Sequence, residues 1–175
     1  MFANVAQCKR RKGQSTNLTR MSPDKFTVKL QEAFNASQSI ATRHGHQELK
    51  PAHLLLALLE QEGGIVLPIF EKAALQRELI SNLKPEVLNL LNRQPKVSGG
   101  AGGLHLSNEI RELMTKAEDE QTKLKDDFLS VEHVILALFK TKTDLLEILK
   151  KSGLSYETVS KALTSVRGSQ RVVDQ

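Results

Sequence analysis

The chain has 175 residues, 39% of them hydrophobic, with one cysteine and no tryptophan; that length supports a real core, and one cysteine excludes a disulfide framework, a thiolate metal cage and a CxxC redox pair. The net charge of +5 is confined to the start, where Lys9, Arg10, Arg11, Lys12 and Arg20 precede the first acid; taking these five from 25 basic residues leaves 20, against 20 acidic ones. A neutral body with 4% aromatics lacks the phosphate-tracking field and stacking rings of a nucleic-acid reader.

Residues 1–20 have no apolar periodicity and read as a disordered basic extension ahead of a start at Met21. They hold Cys8 but no continuous apolar stretch of the kind a secretory signal needs. From Ser22-Pro23-Asp24 the pattern changes. Phe26, Leu30, Ala33, Phe34, Ser37, Ile40 and Ala41 recur at helical spacing and predict one amphipathic helix ending near Gly45. Pro51 then suits a first helical position, and Leu54 to Leu59 follow before Gly63-Gly64. A helix apolar on every side must be surrounded by protein, so this one is predicted at the centre of its unit. Two further helices are expected around Val66 to Ala74 and Gln76 to Arg93.

The stretch 94–106 contains Pro95 and Ser98-Gly99-Gly100-Ala101-Gly102-Gly103, and is expected to be a flexible linker rather than packed structure. Beyond it Ser107 reads as a cap, with Ile110, Leu113, Met114, Ala117 and Leu124 on one helical face, and Ser130 caps a second apolar run from Val134 to Phe139. Neither run is long enough to cross a bilayer.

A displacement of eighty residues lays Leu49, His53, Leu56, Ala57 and Leu58 on Leu129, His133, Leu136, Ala137 and Leu138. With one residue fewer, Lys72, Leu75 and Glu78 meet Lys151, Leu154 and Glu157. This is an internal duplication. The expected architecture is all-α: two tandem four-helix repeats, over 21–93 and 107–167, related by a local two-fold axis. A groove along their seam is the expected recognition surface.

Catalytic and metal chemistries find little to work with. His44, His46 and His53 match no zinc spacing, and His53 and His133 are better read as structural duplicates early in the two central helices. The glycine-rich linker lacks the Lys and Ser/Thr of a phosphate-binding loop. Ser, His and Asp occur in no nucleophile-elbow context. The carboxylates at Glu118, Asp119, Glu120, Asp126, Asp127 and Glu132 alternate with Lys116, Lys123 and Lys125, as on a solvated helix face. No catalytic residue, metal site or cofactor is expected.

Gly45-His46 followed by His53 to Leu59 resembles the hallmark of the Clp amino-terminal repeat family. Asp24-Lys25-Phe26-Thr27, Gln61-Glu62-Gly63-Gly64 before Pro68, and Arg167-Gly168 with Val173-Asp174-Gln175 are most similar to its ClpB-type disaggregase branch. The resemblance implies a cytoplasmic, non-enzymatic module that weakly engages unfolded or aggregated polypeptides at the mouth of a homohexameric ATPase ring, alongside a co-chaperone system, with no nucleic acid or membrane partner. It makes 168–175 the start of a connection to an ATPase domain that this chain lacks. It also implies Thr27, Asp126 and Glu132 as polar residues beside the client surface. The alternatives are adaptor docking, as in ClpA- or ClpC-type unfoldases, and a free-standing scaffold. Lys50, in place of a Ser or Thr cap, and Lys116 and Glu120, in place of apolar residues, depart from the family's pattern.

Overall fold

A computed structural model of the chain describes residues 22–97 and 103–168. The basic extension, Cys8 and the segment past Gly168 lie outside the described residues.

The first helix starts later than its apolar spacing predicts. Pro23–Lys25 form only a 3-10 turn, Phe26 is extended at φ −89°, ψ 144°, and α1 spans Val28–Arg43. Phe26 leaves the helical path because it pairs as an isolated parallel bridge with Leu129 from the second half, where it is buried. Thr27 then caps α1, and the buried stripe Leu30, Ala33, Phe34, Ser37, Ile40 and Ala41 is the one the spacing predicts.

After the two-residue strand β1 (Glu48–Leu49), α2 runs Pro51–Glu60 with every side chain from Pro51 to Leu58 buried. It is the central helix of its half, as its all-round apolarity requires. Next comes α3 (Val66–Ala73). The single helix expected over 76–93 is instead two, α4 (Arg77–Ser81) and α5 (Leu83–Asn92), meeting at Asn82. Pro85 explains the break: it has no N–H to offer the carbonyl of Ser81, and its ring crowds that carbonyl.

The second half opens on β2 (His105–Leu106), followed by α6 (Asn108–Leu124), α7 (Val131–Leu138), α8 (Asp144–Lys151) and α9 (Tyr156–Arg167). Helices dominate the fold, as expected. The expectation of an unpacked linker over 94–106 fails at both ends, however. The Val97 N–H donates to the Gly45 carbonyl at 3.0 Å, and His105 and Leu106 pair in parallel with Glu48 and Leu49. Leu106 is 9% exposed, and its burial anchors the end of a segment whose composition suggested solvent.

The two halves exchange these short pairings reciprocally. Thr27 N–H donates to Leu129 O at 2.9 Å, and its counterpart eighty residues on, Ser107, donates to Leu49 O at 3.0 Å. In the same way α3 of the first half packs on α9, and α5 packs on α8. An isologous contact generates such reciprocity. One hydrophobic core runs through both halves without interruption.

Candidate functional site

The seam between the halves holds a cavity of about 210 Å³ with Thr27, Ile65, Ser130, Val131 and Glu132 in its wall. Each is placed by a helix start. Thr27 Oγ1 accepts from the Leu30 N–H at 3.4 Å as the α1 cap, so its hydroxyl sits at the cavity edge. Ile65 arrives through the Gly63-Gly64 turn. Gly63 has φ +63°, and a Cβ on Gly64 would lie 2.9 Å from the Gln61 carbonyl, so the turn tolerates no side chain at Gly64. Ile65 is 39% exposed, and Val28, next to Thr27, 49%. Both are apolar surface left uncovered at this place.

Thr27 and Glu132 thus meet at one cavity. Asp126 is not in the wall of this cavity: it is 7% exposed and its carboxylate is engaged behind it. His133 Nδ1 accepts from the Ser130 N–H at 2.9 Å, which leaves its proton on Nε2 to donate to Asp126 Oδ2 at 2.8 Å. Burial lowers the His133 pKa, against the upward pull of Asp126, and the imidazole is neutral. The other Asp126 oxygen accepts from Arg167 at the end of α9, whose Nη1 lies 3.9 Å from Glu132 Oε2. The Ser130 hydroxyl donates to that same Glu132 oxygen at 3.0 Å. Arg167 thus lies between Asp126 and Glu132, within ion-pair distance of both.

Arg167 is the residue that the sequence reading misses, because it looked like the beginning of a connection. The only signal for it was its place in the last turn of a periodic helix, where a cation is favoured.

A second cavity lies at the related place on the seam, among Lys50, Pro51, Ala52, Glu109 and Asp144. It measures only about 30 Å³, with Leu90 and Gln94 of the longer α5 end in its wall. The related place is therefore narrower, and it opens beside a hollow of about 700 Å³ between α5 and α8 that shares Lys50, Leu90, Gln94 and Asp144 with it. Among the described residues no group of three or more His, Cys, Asp or Glu is arranged to hold a metal ion, and no helix is long and apolar enough to cross a membrane.

Residues 25–152 match the Clp repeat (R) N-terminal domain family. Over 158 residues the chain is 37% identical to the chaperone protein ClpB of Bacillus anthracis, an alignment that takes in 89% of this chain and 18% of that protein. The chain therefore spans less than a fifth of the length of such relatives. Its fold is similar to the Hsp104 N-terminal domain from Candida albicans, with a TM-score of 0.74 at 23% identity over 86% of this chain and 96% of that one. It is also similar to the N-terminal domain of the ClpV1 ATPase from E. coli EAEC, with a TM-score of 0.63 at 21% identity over 82% and 85%. At these identities the structural likeness concerns the fold alone. With residues 25–152 matched and ClpB-type relatives aligned along most of its length, the chain belongs to the Clp repeat N-terminal domain family.

Proposed function

We propose that this chain is the client-binding N-terminal module of a ClpB-type ATP-dependent chaperone, and that it engages unfolded or aggregated polypeptide at the seam cavity. The observation that carries the reading is the cavity itself: Ile65 and Val131 beside two polar groups, Thr27 and Glu132, set at the join of the halves. Unfolded chains share exposed apolar side chains and free backbone rather than a sequence, and an apolar hollow with a polar rim suits both. Asp126 and Arg167 are positioning residues that orient Glu132.

The size of the cavity sets the affinity. About 210 Å³ admits one apolar side chain, whose full burial contributes about 1.5–3 kcal/mol. Part of that is offset by immobilising the bound segment, which leaves a single contact weaker than the roughly 1 mM that about 4 kcal/mol would give. Weak single contacts become useful capture if six modules crown one hexameric ring.

The test is an NMR titration of the chain with an unfolded, soluble polypeptide. Saturable shifts are expected at Thr27, Ile65 and Val131, and Ile65→Lys should remove them without unfolding the domain. No perturbation at the seam with client in large excess would sink the reading. Shifts produced only by a folded adaptor protein would transfer the site to the adaptor-docking role.

A further inference from the structure

The duplication sets the helix pair α1–α2 in register with α6–α7. In the second half, the chain's own side chains close the face of the pair. Tyr156, the first residue of α9, donates its hydroxyl to Glu120 Oε2 at 2.8 Å. The ammonium groups of Lys123 and Lys140 lie 5.0 and 4.7 Å from its ring centroid. Lys140 also bonds Glu120, and Lys116 reaches across to the Lys140 carbonyl. Glu120, 1% exposed, is the buried anchor of this closure.

Among the described residues none of these closures is repeated in the first half. Ile40 stands in place of Glu120, Ala36 in place of Lys116, and Glu60 in place of Lys140. The counterpart of Tyr156, seventy-nine residues earlier, is Arg77, which is exposed.

The divergence traces to one backbone position. Gly153, at φ +74°, ends α8 in a left-handed turn, with the Leu154 N–H on the Leu149 carbonyl at 3.2 Å. That turn drives Leu154 into the core at 2% exposure, makes Ser155 the α9 cap and lays Tyr156 toward Glu120. The residue matching Gly153 is Ala74, which stays at φ −74°, ψ 139°. The chain leaves α3 extended, Leu75 is 91% exposed, and no ring is delivered to the face of α1–α2. A trough of about 700 Å³ remains there, with Ala33, Ile40 and Ala57 at its floor and Ala36, Arg43 and Glu60 along its edge.

We infer that this trough is a second polypeptide subsite, which takes an aromatic side chain of an extended client in place of the ring that Tyr156 supplies in the other half. The inference rests on the proposed seam function, because the trough adjoins the seam cavity: Lys29, Gln61 and Gly63 line both. The small side chains of Ala33, Ala36 and Ala57 leave room for a ring. Arg43, at the position of Lys123, places a cation beside the ring face.

The test uses methyl-labelled protein and three otherwise identical Gly/Ser peptides carrying one central Phe, Tyr or Ala. The Phe and Tyr peptides should shift the methyl signals of Ala36, Ile40 and Ala57 saturably, and the Ala peptide should not. Ala36→Lys, which installs the second half's residue at an exposed edge position, should abolish these shifts and leave those of Thr27, Ile65 and Val131 in place. Shifts confined to the seam would overturn the trough as a subsite while leaving the seam reading standing. No shifts in either place would overturn both, and equal responses to the Phe and Ala peptides would overturn the aromatic assignment.

Discussion

His46 and Asp126 hold the same position in the two halves, eighty residues apart, and each closes at 2.8 Å on the buried histidine seven residues further on. The consequences differ because one partner is a neutral ring and the other a carboxylate. In the second half His133 donates to an anion that Arg167 neutralises. In the first, His53 Nδ1 accepts from the Lys50 N–H, so His53 donates from Nε2 to His46 Nδ1. His46 is left with its proton on Nε2, buried and with no hydrogen-bond partner among the described residues.

This leaves His53 the more strongly depressed of the two buried histidines. Burial, then the neighbouring His46, lowers the His53 pKa from 6.5 to about 4, and burial lowers that of His46 as well. Because the folded pKa of His53 lies below the unfolded one, its contribution is fully present above pH 6.5 and drains away as pH falls toward 4. Over that window His53 alone accounts for about 3 kcal/mol of lost stability. Urea unfolding at stepped pH should show the loss. His46→Asp, which copies the second half, should raise the His53 pKa in an NMR titration. A His53 resonance that titrates near 6.5 in the native protein would contradict the assignment.

Arg167 is expected to matter more than its place at a helix end suggests. Removing it leaves the carboxylate of Asp126 buried against a neutral imidazole, and breaking a buried pair from one side costs about 3–5 kcal/mol. Arg167→Ala should therefore destabilise strongly, whereas Asp126→Asn combined with Arg167→Ala should cost much less than the sum of the two single changes. Glu132→Ala, at the partly exposed end of the chain of contacts, should cost under about 1 kcal/mol. Chemical denaturation of the four variants decides this; strict additivity would show that Asp126 and Arg167 are not coupled.

Much of this fold was legible in the sequence because duplication doubles the signal. The apolar runs at Leu54 and Val134, and the match of His53 to His133, locate both central helices without any structure. Even the exchange of His46 for Asp126 lies on the same displacement. Other features depend on long-range pairing that no periodicity encodes. Phe26 fits the α1 pattern but is drawn away by Leu129, and Leu106 follows a run of glycines yet is buried by pairing with Leu49. Thr27 and Glu132, which the resemblance pointed to, both stand in the wall of the candidate cavity. Arg167 was not legible, since its partner lies 41 residues away.

The exposed Leu75 and the buried Leu154 give a direct test of how far the halves have diverged. Leu154→Ala should cost about 2–5 kcal/mol, as an emptied core position does. Leu75→Ala should stay within about 0.5 kcal/mol. Gly153→Ala should be costly too, by about 1 kcal/mol or more, because the left-handed turn is denied to a residue with a Cβ. Thermal or urea denaturation reads all three, and a large effect at Leu75 would mean that it is covered in solution.

Tyr156 offers a case in which the pH dependence isolates one hydrogen bond. Burial raises the Glu120 pKa, but hydrogen bonds from Lys140 and Tyr156 outweigh it and hold the carboxyl below its ordinary 4.5. A depressed carboxylate stabilises the fold above its unfolded pKa, and that contribution is lost as pH falls through the folded value. Tyr156→Phe removes one donor from a buried anion, so at pH 7 it should cost about 1–3 kcal/mol. At a second, acidic pH the difference from the parent chain should narrow as protonation removes the anion in the parent as well. The acid sensitivity of His53 is common to both proteins and cancels in the comparison. Urea unfolding of the pair at the two pH values measures the gap; a gap that stays constant would show that the Tyr156 hydroxyl does not act through the charge of Glu120.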